Sequence, residues 1–548
     1  MDKAKKMELT RRGFISAGAV MAAGPLVIAP PKTEAAAGPV SASAVIERDP
    51  LHDLPRTQYS HFIEHLGECV KGGIWAEGES DDMLLGGVRH ELVDAMRSVR
   101  PALIRYPGGC FADGYHWQDG IGPRGSRPRR PNQAWGKLGP LVGPEEDNHF
   151  GTDEFMALCQ AVGAGPMLTV NVGSGTAAEA ADWVEYCNGP VDTRWGAERA
   201  KNGHPEPYQV KYWFVGNEIF GWHEIGHQPP PVYVKTFRAY SEAMRAKDPT
   251  IKLIAVGGNF SGITDANKIM LSGAGDIMDY LSIHQYVPPA NLENTIRFQT
   301  LGLQRARGKH VYYDVMGTLK RMEEFIQENV RDVNAYSPSG KKVPLAFDEW
   351  NLWFSFAADV IRANYCLRDG LWTAGMLNLF HRHAPELPIA NIAQMVNCLG
   401  IITSTKEGTF LTPSALAFKL YTERAGESFL PSRVECPPLP HVSELPAVDL
   451  SATRSGDRLA LFLVNRHYSS EARVSVSLDG MDAAPAAERR EMGHRNPAQY
   501  NTFKKPDAVR IEYAPESLSV TATKGGSGFD LRLAPHSLTC IELRVKDI

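Results

Sequence analysis

Between Tyr59 and Ala393 the chain alternates eight times between a short apolar run of strand type and a longer segment, most of these helical in pattern. No other feature limits the fold as tightly, because strands separated by helices cannot pair as hairpins and must lie parallel in one sheet. The strand-like runs are Tyr59 to Glu64, Ala102 to Tyr106, Met167 to Val172, Tyr212 to Gly216, Leu253 to Gly257, Tyr280 to His284, Val343 to Phe347 and Ile389 to Ala393. Helical segments include Glu91 to Val99, Thr152 to Ala161, Ala177 to Cys187, Pro231 to Lys247 and Ala358 to Phe380. The class is α/β, and eight units predict a closed (β/α)8 TIM barrel, in which residues just past the strand ends face the active site. An open doubly wound sheet is the rival, but no G-x-G-x-x-G follows the first strand.

Two of these strand ends carry an acid in the same setting. Tyr212 to Val215 is wholly apolar and stops at Gly216-Asn217-Glu218, and Val343 to Phe347 stops at Asp348-Glu349-Trp350. In a barrel the fourth and seventh strands approach the axis from opposite sides, so Glu218 and Glu349 are expected to face each other. Hydrolysis of a glycosidic bond needs such a pair, one carboxyl donating a proton while the other attacks or activates water. Burial against Phe220 and Trp222, beside a charged Glu349, is expected to raise the pKa of Glu218. Arg105 is expected to ion-pair with one of the two acids. His381-Arg382-His383 has the look of a metal pair without a third ligand and reads as a surface feature at a helix end.

From about Phe410 the pattern becomes all-β, with short runs at Leu459 to Asn465, Ala472 to Leu478, Arg510 to Tyr513, Ser517 to Thr523, Phe529 to Leu533 and Leu538 to Val545. The expected organisation is therefore a barrel over 46–409 and a β-sandwich over 410–548, with 46–57 available to pair with the sandwich. Residues 1–45 read as an export signal and linker. Lys3, Lys5, Lys6, Arg11 and Arg12 precede a moderately apolar run from Gly13 to Ala29, and small residues follow at 35–37 and 42–44. Thr10-Arg11-Arg12-Gly13-Phe14-Ile15 resembles the twin-arginine signal of bacteria, which implies a periplasmic or extracellular protein. The run falls short of the ~20 apolar residues that span a bilayer, so no membrane association is expected of the mature form.

With 43% apolar and 22% charged residues and a formal net charge of −5, the composition is that of a globular protein with no basic surplus for nucleic acid. The eight cysteines form no C-x-x-C pair and there is no H-E-x-x-H, so neither a disulfide frame nor a metal site is expected, and no cofactor. The sequence leaves both a monomer and a homo-oligomer open.

Nine stretches in order resemble one family, the α-L-arabinofuranosidases of glycoside hydrolase family 51. They are F-I-E-H-L-G (Phe62 to Gly67), R-Y-P-G-G-C-F (Arg105 to Phe111), D-G-I-G-P-R (Asp119 to Arg124), G-T-D-E-F (Gly151 to Phe155), G-N-E (Gly216 to Glu218), I-H-Q-Y (Ile283 to Tyr286), F-D-E-W-N (Phe347 to Asn351), N-I-A-Q (Asn391 to Gln394) and A-P-H-S (Ala534 to Ser537). The resemblance implies a retaining enzyme that releases terminal α-L-arabinofuranosyl residues from a carbohydrate substrate, with Glu218 as general acid/base and Glu349 as nucleophile. It further implies that Glu64, Cys110, Phe111, Asn171, Asn217, His284, Tyr286 and Gln394 line the sugar site. Trp350 and Trp353 are expected to add flat apolar faces for the sugar. A retaining β-glycanase or β-xylosidase of the same fold, or a non-catalytic carbohydrate-binding protein, is the alternative, since fold alone does not fix the sugar. One departure stands out: family members commonly read G-P-W-Q after the acid/base, where this chain has Gly221-Trp222-His223-Glu224.

Overall fold

In the computed structural model, residues 38–80, 82–138, 143–258, 265–288, 308–354 and 359–548 are described. Residues 1–37, which carry the twin-arginine-type motif and the apolar run of the expected export signal, therefore lie outside the described residues. Eight parallel strands close on themselves, β1 (Ser60–Phe62), β2 (Leu103–Tyr106), β3 (Gly165–Val170), β4 (Tyr212–Val215), β5 (Lys252–Val256), β6 (Tyr280–Val287), β7 (Leu345–Leu352) and β8 (Ile389–Ala393). The closing seam pairs Asn391, Ile392 and Ala393 of β8 with Ser60, His61 and Phe62 of β1. All eight expected strands are present, most of their residues buried on both faces as a helix-wrapped parallel sheet requires.

Two apolar layers fix the barrel. Leu103, Met167, Phe214, Ile254, Ala346 and Ile389, one from each of six strands, form a separate cluster that fills the interior. The outward side chains join a much larger core between the strands and the helices. Helices at His90–Ser98, Thr152–Val162, Ala177–Asn188 and Pro230–Lys247 fall where the sequence places them. The helix expected from Ala358 begins later, at Leu367, where Asp369 Oδ2 accepts from the Cys366 N–H at 2.9 Å and so fixes the first turn.

Beyond the barrel the chain forms a seven-stranded and a five-stranded sheet. Two features differ from the sequence reading. A helix at Pro413–Arg424 interrupts the all-β region, with Ala415, Ala417, Phe418, Leu420 and Tyr421 buried. Pro413 suggests a turn, yet at the first position of a helix its missing N–H costs nothing. The second difference is at the start: Val40–Glu47, expected to fall largely in the linker, is a strand pairing parallel with Ala472–Asp479 and antiparallel with Ser432–Glu435. Its alternate residues Val40, Ala42, Ala44 and Ile46 are buried, a period of two hidden by the small side chains that suggested a cleavage site. His52–Asp53 pairs with Ser428–Phe429. Among the described residues no helix is long and apolar enough to cross a membrane, and all eight cysteines are free.

His381 is not at the surface. It is fully buried, its Nε2 2.6 Å from the Tyr59 hydroxyl and its Nδ1 2.7 Å from Ser451 Oγ, tying the Leu367–Arg382 helix to the sheet behind it. His61 is equally buried, its ring centroid 5.0 Å from that of Phe418. Burial depresses both imidazoles to about 3. An unfolded histidine titrates near 6.5, so between that value and about 3 the unfolded chain binds more protons and stability falls as pH falls. Each ring contributes a slope of about 1.4 kcal/mol per pH unit. Urea midpoints measured from pH 7 to pH 4 are expected to show His61→Phe losing one proton's worth of this slope relative to wild type; parallel curves would contradict it.

Candidate active site

The floor of the site is Arg105, fully buried at the end of β2, its guanidinium held 4.9 Å from the Phe62 ring centroid and 4.5 Å from that of Phe214. All three nitrogens are used. Nε donates to Thr169 Oγ1 at 3.0 Å, Nη2 to Asn217 Oδ1 at 2.7 Å, and Nη1 faces Glu349 Oε1 at 2.8 Å and Asp348 Oδ2 at 2.9 Å. Consecutive residues of a regular strand point to opposite faces, so Asp348 and Glu349 reach the same nitrogen only where the strand is irregular. Pairing of β7 with β8 shifts register between Phe347 and Trp350, and pairing of β6 with β7 shifts between Ser282 and His284. These irregularities turn the acids and His284 into the barrel mouth. Arg105→Met is expected to leave the buried Asp348 and Glu349 to share His284 as their cationic partner, costing about 3–5 kcal/mol in chemical denaturation; a loss under 1 kcal/mol would contradict this role.

Glu218 arrives from the opposite wall with φ of 38°, in the left-handed region that a non-glycine residue adopts at a cost. His284 joins the two acids: its Nδ1 is 2.9 Å from Glu218 Oε1 and 3.5 Å from Glu349 Oε2, while its Nε2 is 3.1 Å from Asp348 Oδ2. One carboxylate oxygen of Glu218 and one of Glu349 lie within 4.8 Å of each other. The Tyr286 hydroxyl donates to Glu349 Oε2 at 2.9 Å.

A second layer frames the pocket. Glu64 Oε1 accepts from the backbone N–H of Gly109 (3.2 Å) and Phe111 (3.0 Å) and from Trp135 Nε1 (2.9 Å), and Oε2 accepts from Gln394 Nε2 at 3.1 Å. Burial, helped by the charge of Glu349, pushes Glu64 up to about 7. Gly109 is needed for close approach, since a Cβ there would sit 2.8 Å from Glu349 Oε1. Asn217 Nδ2 donates to Glu224 Oε1 at 3.2 Å and lies 4.0 Å from Cys110 Sγ.

The electrostatics reverse one expectation. Burial works to raise Glu218, but hydrogen bonds from His223 (3.2 Å) and His284 outweigh it and hold the carboxyl down at about 2. Trp222, expected to bury it, is 69% exposed. Burial disfavours the charged form of both imidazoles, yet Glu218 and Glu224 lift His223 to about 10, and Glu349 and Asp348 lift His284 well above its usual value. Glu349 is raised, chiefly by burial, against the pull of His284 and Arg105. In this arrangement the proton available to a leaving group rests on an imidazole, one hydrogen bond from Glu218.

The structure gathers Glu64, Cys110, Asn217, Glu218, His284, Tyr286, Glu349 and Gln394 at one end of the barrel, with Phe111 contributing its backbone N–H. Two expected residues are elsewhere. Trp350 is fully buried on the outer side of β7 against Trp372, Phe380 and Phe418, because it follows the inward Glu349. Asn171 is spent on its own loop, its amide N–H groups donating to Tyr115 O and Ser174 Oγ and its Oδ1 accepting from the N–H of Ser174 and Gly175. Sequence reasoning missed Trp135, a lone aromatic in a loop rich in Gly, Pro and Arg. Asp348, although adjacent to Glu349, was given no role.

The chain is similar to known proteins along most of its length. Family models described as α-L-arabinofuranosidase 1 domain and α-L-arabinofuranosidase C-terminal domain match residues 95–301 and 348–537. An intracellular exo-α-L-arabinofuranosidase of Bacteroides ovatus is 32% identical over 469 residues, covering 83% of this chain and 87% of that one. The α-L-arabinofuranosidase C of Emericella nidulans is 33% identical over 448 residues, covering 77% and 84%. Among solved structures, the arabinose complex of α-L-arabinofuranosidase from Thermotoga maritima superposes with a TM-score of 0.80 at 31% identity, covering 92% of this chain and 100% of that one. The GH51 arabinofuranosidase of Xanthomonas axonopodis pv. citri gives a TM-score of 0.78 at 30% identity, with 92% and 100% covered.

Proposed function

We propose, for a chain that belongs to the α-L-arabinofuranosidase family of glycoside hydrolases, a double displacement in which Glu349 is the nucleophile and Glu218 the general acid/base. The enzyme removes terminal non-reducing α-L-arabinofuranosyl residues from arabinose-containing oligo- or polysaccharides. The observation that carries the mechanism is the approach of the two carboxylates to within 4.8 Å, bridged by one imidazole nitrogen. Retaining glycosidases need a spacing of about 5–5.5 Å between carboxyl groups, whereas inverting ones leave about 6.5–9.5 Å for a water.

Glu349 attacks the anomeric carbon, and the bond to the leaving oxygen breaks as that oxygen receives a proton from Glu218. Glu218 acquires that proton from His223 or His284, whose N–H groups already point at its two oxygens. The arabinofuranosyl ester of Glu349 is then attacked by water, which gives its proton to Glu218, and the proton returns to the imidazoles. Arg105 and Tyr286 hold Glu349 in line and stabilise it as the leaving carboxylate of the second step. Asn217 and the Glu64–Gln394 pair supply the polar groups that bind ring hydroxyls, and an interaction with the 2-hydroxyl strengthens as positive charge develops. Tyr286→Phe is expected to lower kcat/KM roughly 10- to 100-fold, the worth of a hydrogen bond to a charged group of about 1.5–3 kcal/mol; a change under twofold would contradict the role.

The sugar is tested with a panel of aryl glycosides: hydrolysis of the α-L-arabinofuranoside is expected to dominate, and preference for a β-xyloside would favour the alternative enzyme. Export is proposed on Arg11-Arg12 and the apolar run behind them. Arg11→Lys with Arg12→Lys is expected to retain the protein in the cytoplasm of a bacterial host, and unchanged secretion would refute it.

A further inference from the structure

We propose that Cys110, Glu218, His223 and Glu224 form a site for one divalent transition-metal ion of the zinc type, whose binding stops hydrolysis by occupying the oxygen that handles the proton. One donor atom from each of the four lies within 4.8 Å of the others. His223 Nε2 is 3.2 Å from Glu218 Oε2 and 3.4 Å from Glu224 Oε1. Zinc bonds of about 2.0–2.3 Å in a tetrahedron place donors about 3.3–3.8 Å apart, so the closest pairs are already spaced for an ion.

A second observation points to a cation. The Glu224 side chain is fully buried, and its Oε2 has no hydrogen-bond partner among the described residues. A buried carboxylate oxygen left in this way is costly unless a positive charge faces it. An ion bound here would displace the protons of the His223 imidazole and the Cys110 thiol, releasing both to solvent. A thiolate, an imidazole and two carboxylates suit zinc better than the all-oxygen shells of calcium or magnesium. Asn217 steadies Glu224 and Cys110 from behind, as the supporting partners of metal ligands do. The His223 side chain is 34% exposed, which gives an ion its entry.

The two halves of the proposal separate: ion binding stands on the four donors, while inhibition rests on the acid/base role given to Glu218. The full-length protein, stripped of metal with a chelator, is titrated with Co2+ and Zn2+ by absorbance and calorimetry. One ion per chain is expected, with a thiolate-to-cobalt charge-transfer band that disappears in Cys110→Ser. Zinc affinity is expected to fall about tenfold or more in Cys110→Ser and in His223→Gln, at least the loss that removing a mere supporting residue produces. Zinc is expected to inhibit hydrolysis of an aryl α-L-arabinofuranoside reversibly, with His223→Gln shifting inhibition by the same factor as binding. Failure to bind below millimolar zinc, or a cobalt band that survives Cys110→Ser, overturns the site. Binding with all these signatures but undiminished hydrolysis overturns the inhibition, and with it the role of Glu218.

Discussion

Replacing Glu349 by Ala is expected to lower kcat on any α-L-arabinofuranoside by about 10^4- to 10^6-fold, the range seen when a covalent nucleophile is removed. The loss should not depend on the leaving group, because no carboxylate remains to form the ester whatever departs. Folding is expected to survive: the change leaves Arg105 its acidic partner Asp348 at 2.9 Å and its hydrogen bonds to Thr169 and Asn217, and frees the Tyr286 hydroxyl to water in the open mouth. Azide added to the variant fits the space vacated by the carboxylate and is expected to give the β-azide, inverted at the anomeric carbon. Residual activity within 100-fold of wild type would assign the attack to another group, and Asp348 on the same guanidinium nitrogen would be the first to examine.

Glu218→Ala is expected to divide substrates by leaving group. A natural alkoxide cannot depart unprotonated, so oligosaccharides should be cleaved about 10^2- to 10^4-fold more slowly. An activated aryl group leaves without help, so the ester at Glu349 should form and accumulate, because the base for the second step is missing. A burst followed by slow turnover is the expected trace, and azide should restore turnover with retained α-azide as product. Equal losses on both substrate types, without a burst, would show that Glu218 serves only to position its neighbours. The imidazoles that hold Glu218 ionised do not replace it, since His284 Nδ1 and His223 Nε2 are hydrogen-bonded to its oxygens rather than directed past them.

The main features of this site were legible in the sequence because they sit where a strand ends. Tyr212 to Val215 followed by Gly216-Asn217-Glu218, and the parallel case at Glu349, identify two barrel-mouth acids from apolar runs alone. What failed was orientation within such runs. A strand buried on both faces gives no alternation to show which side chain points inward, so nothing in the run tells that Trp350 packs outward on Trp372 instead of facing the sugar. His381 reads as a surface residue because it stands beside Arg382 at a helix end, whereas that helix is buried on every side from Leu367 to His381, its polar residues included. Val40–Glu47 does not read as a strand in the sequence, because Ser and Ala carry little hydropathy contrast. The direction of the Glu218 shift is set by His223 and His284, and the approach of His223 depends on how the Gly221–Glu224 turn folds back, which spacing does not reveal.

Double displacement through Glu349 stands or falls on the stereochemistry of the first-formed product. Hydrolysis of an aryl α-L-arabinofuranoside in the presence of methanol, followed by NMR, is expected to give the methyl α-L-arabinofuranoside, the result of two inversions through an ester on Glu349. The methyl β-L-arabinofuranoside as sole product would mean a single displacement, and the covalent role of Glu349 would have to be abandoned.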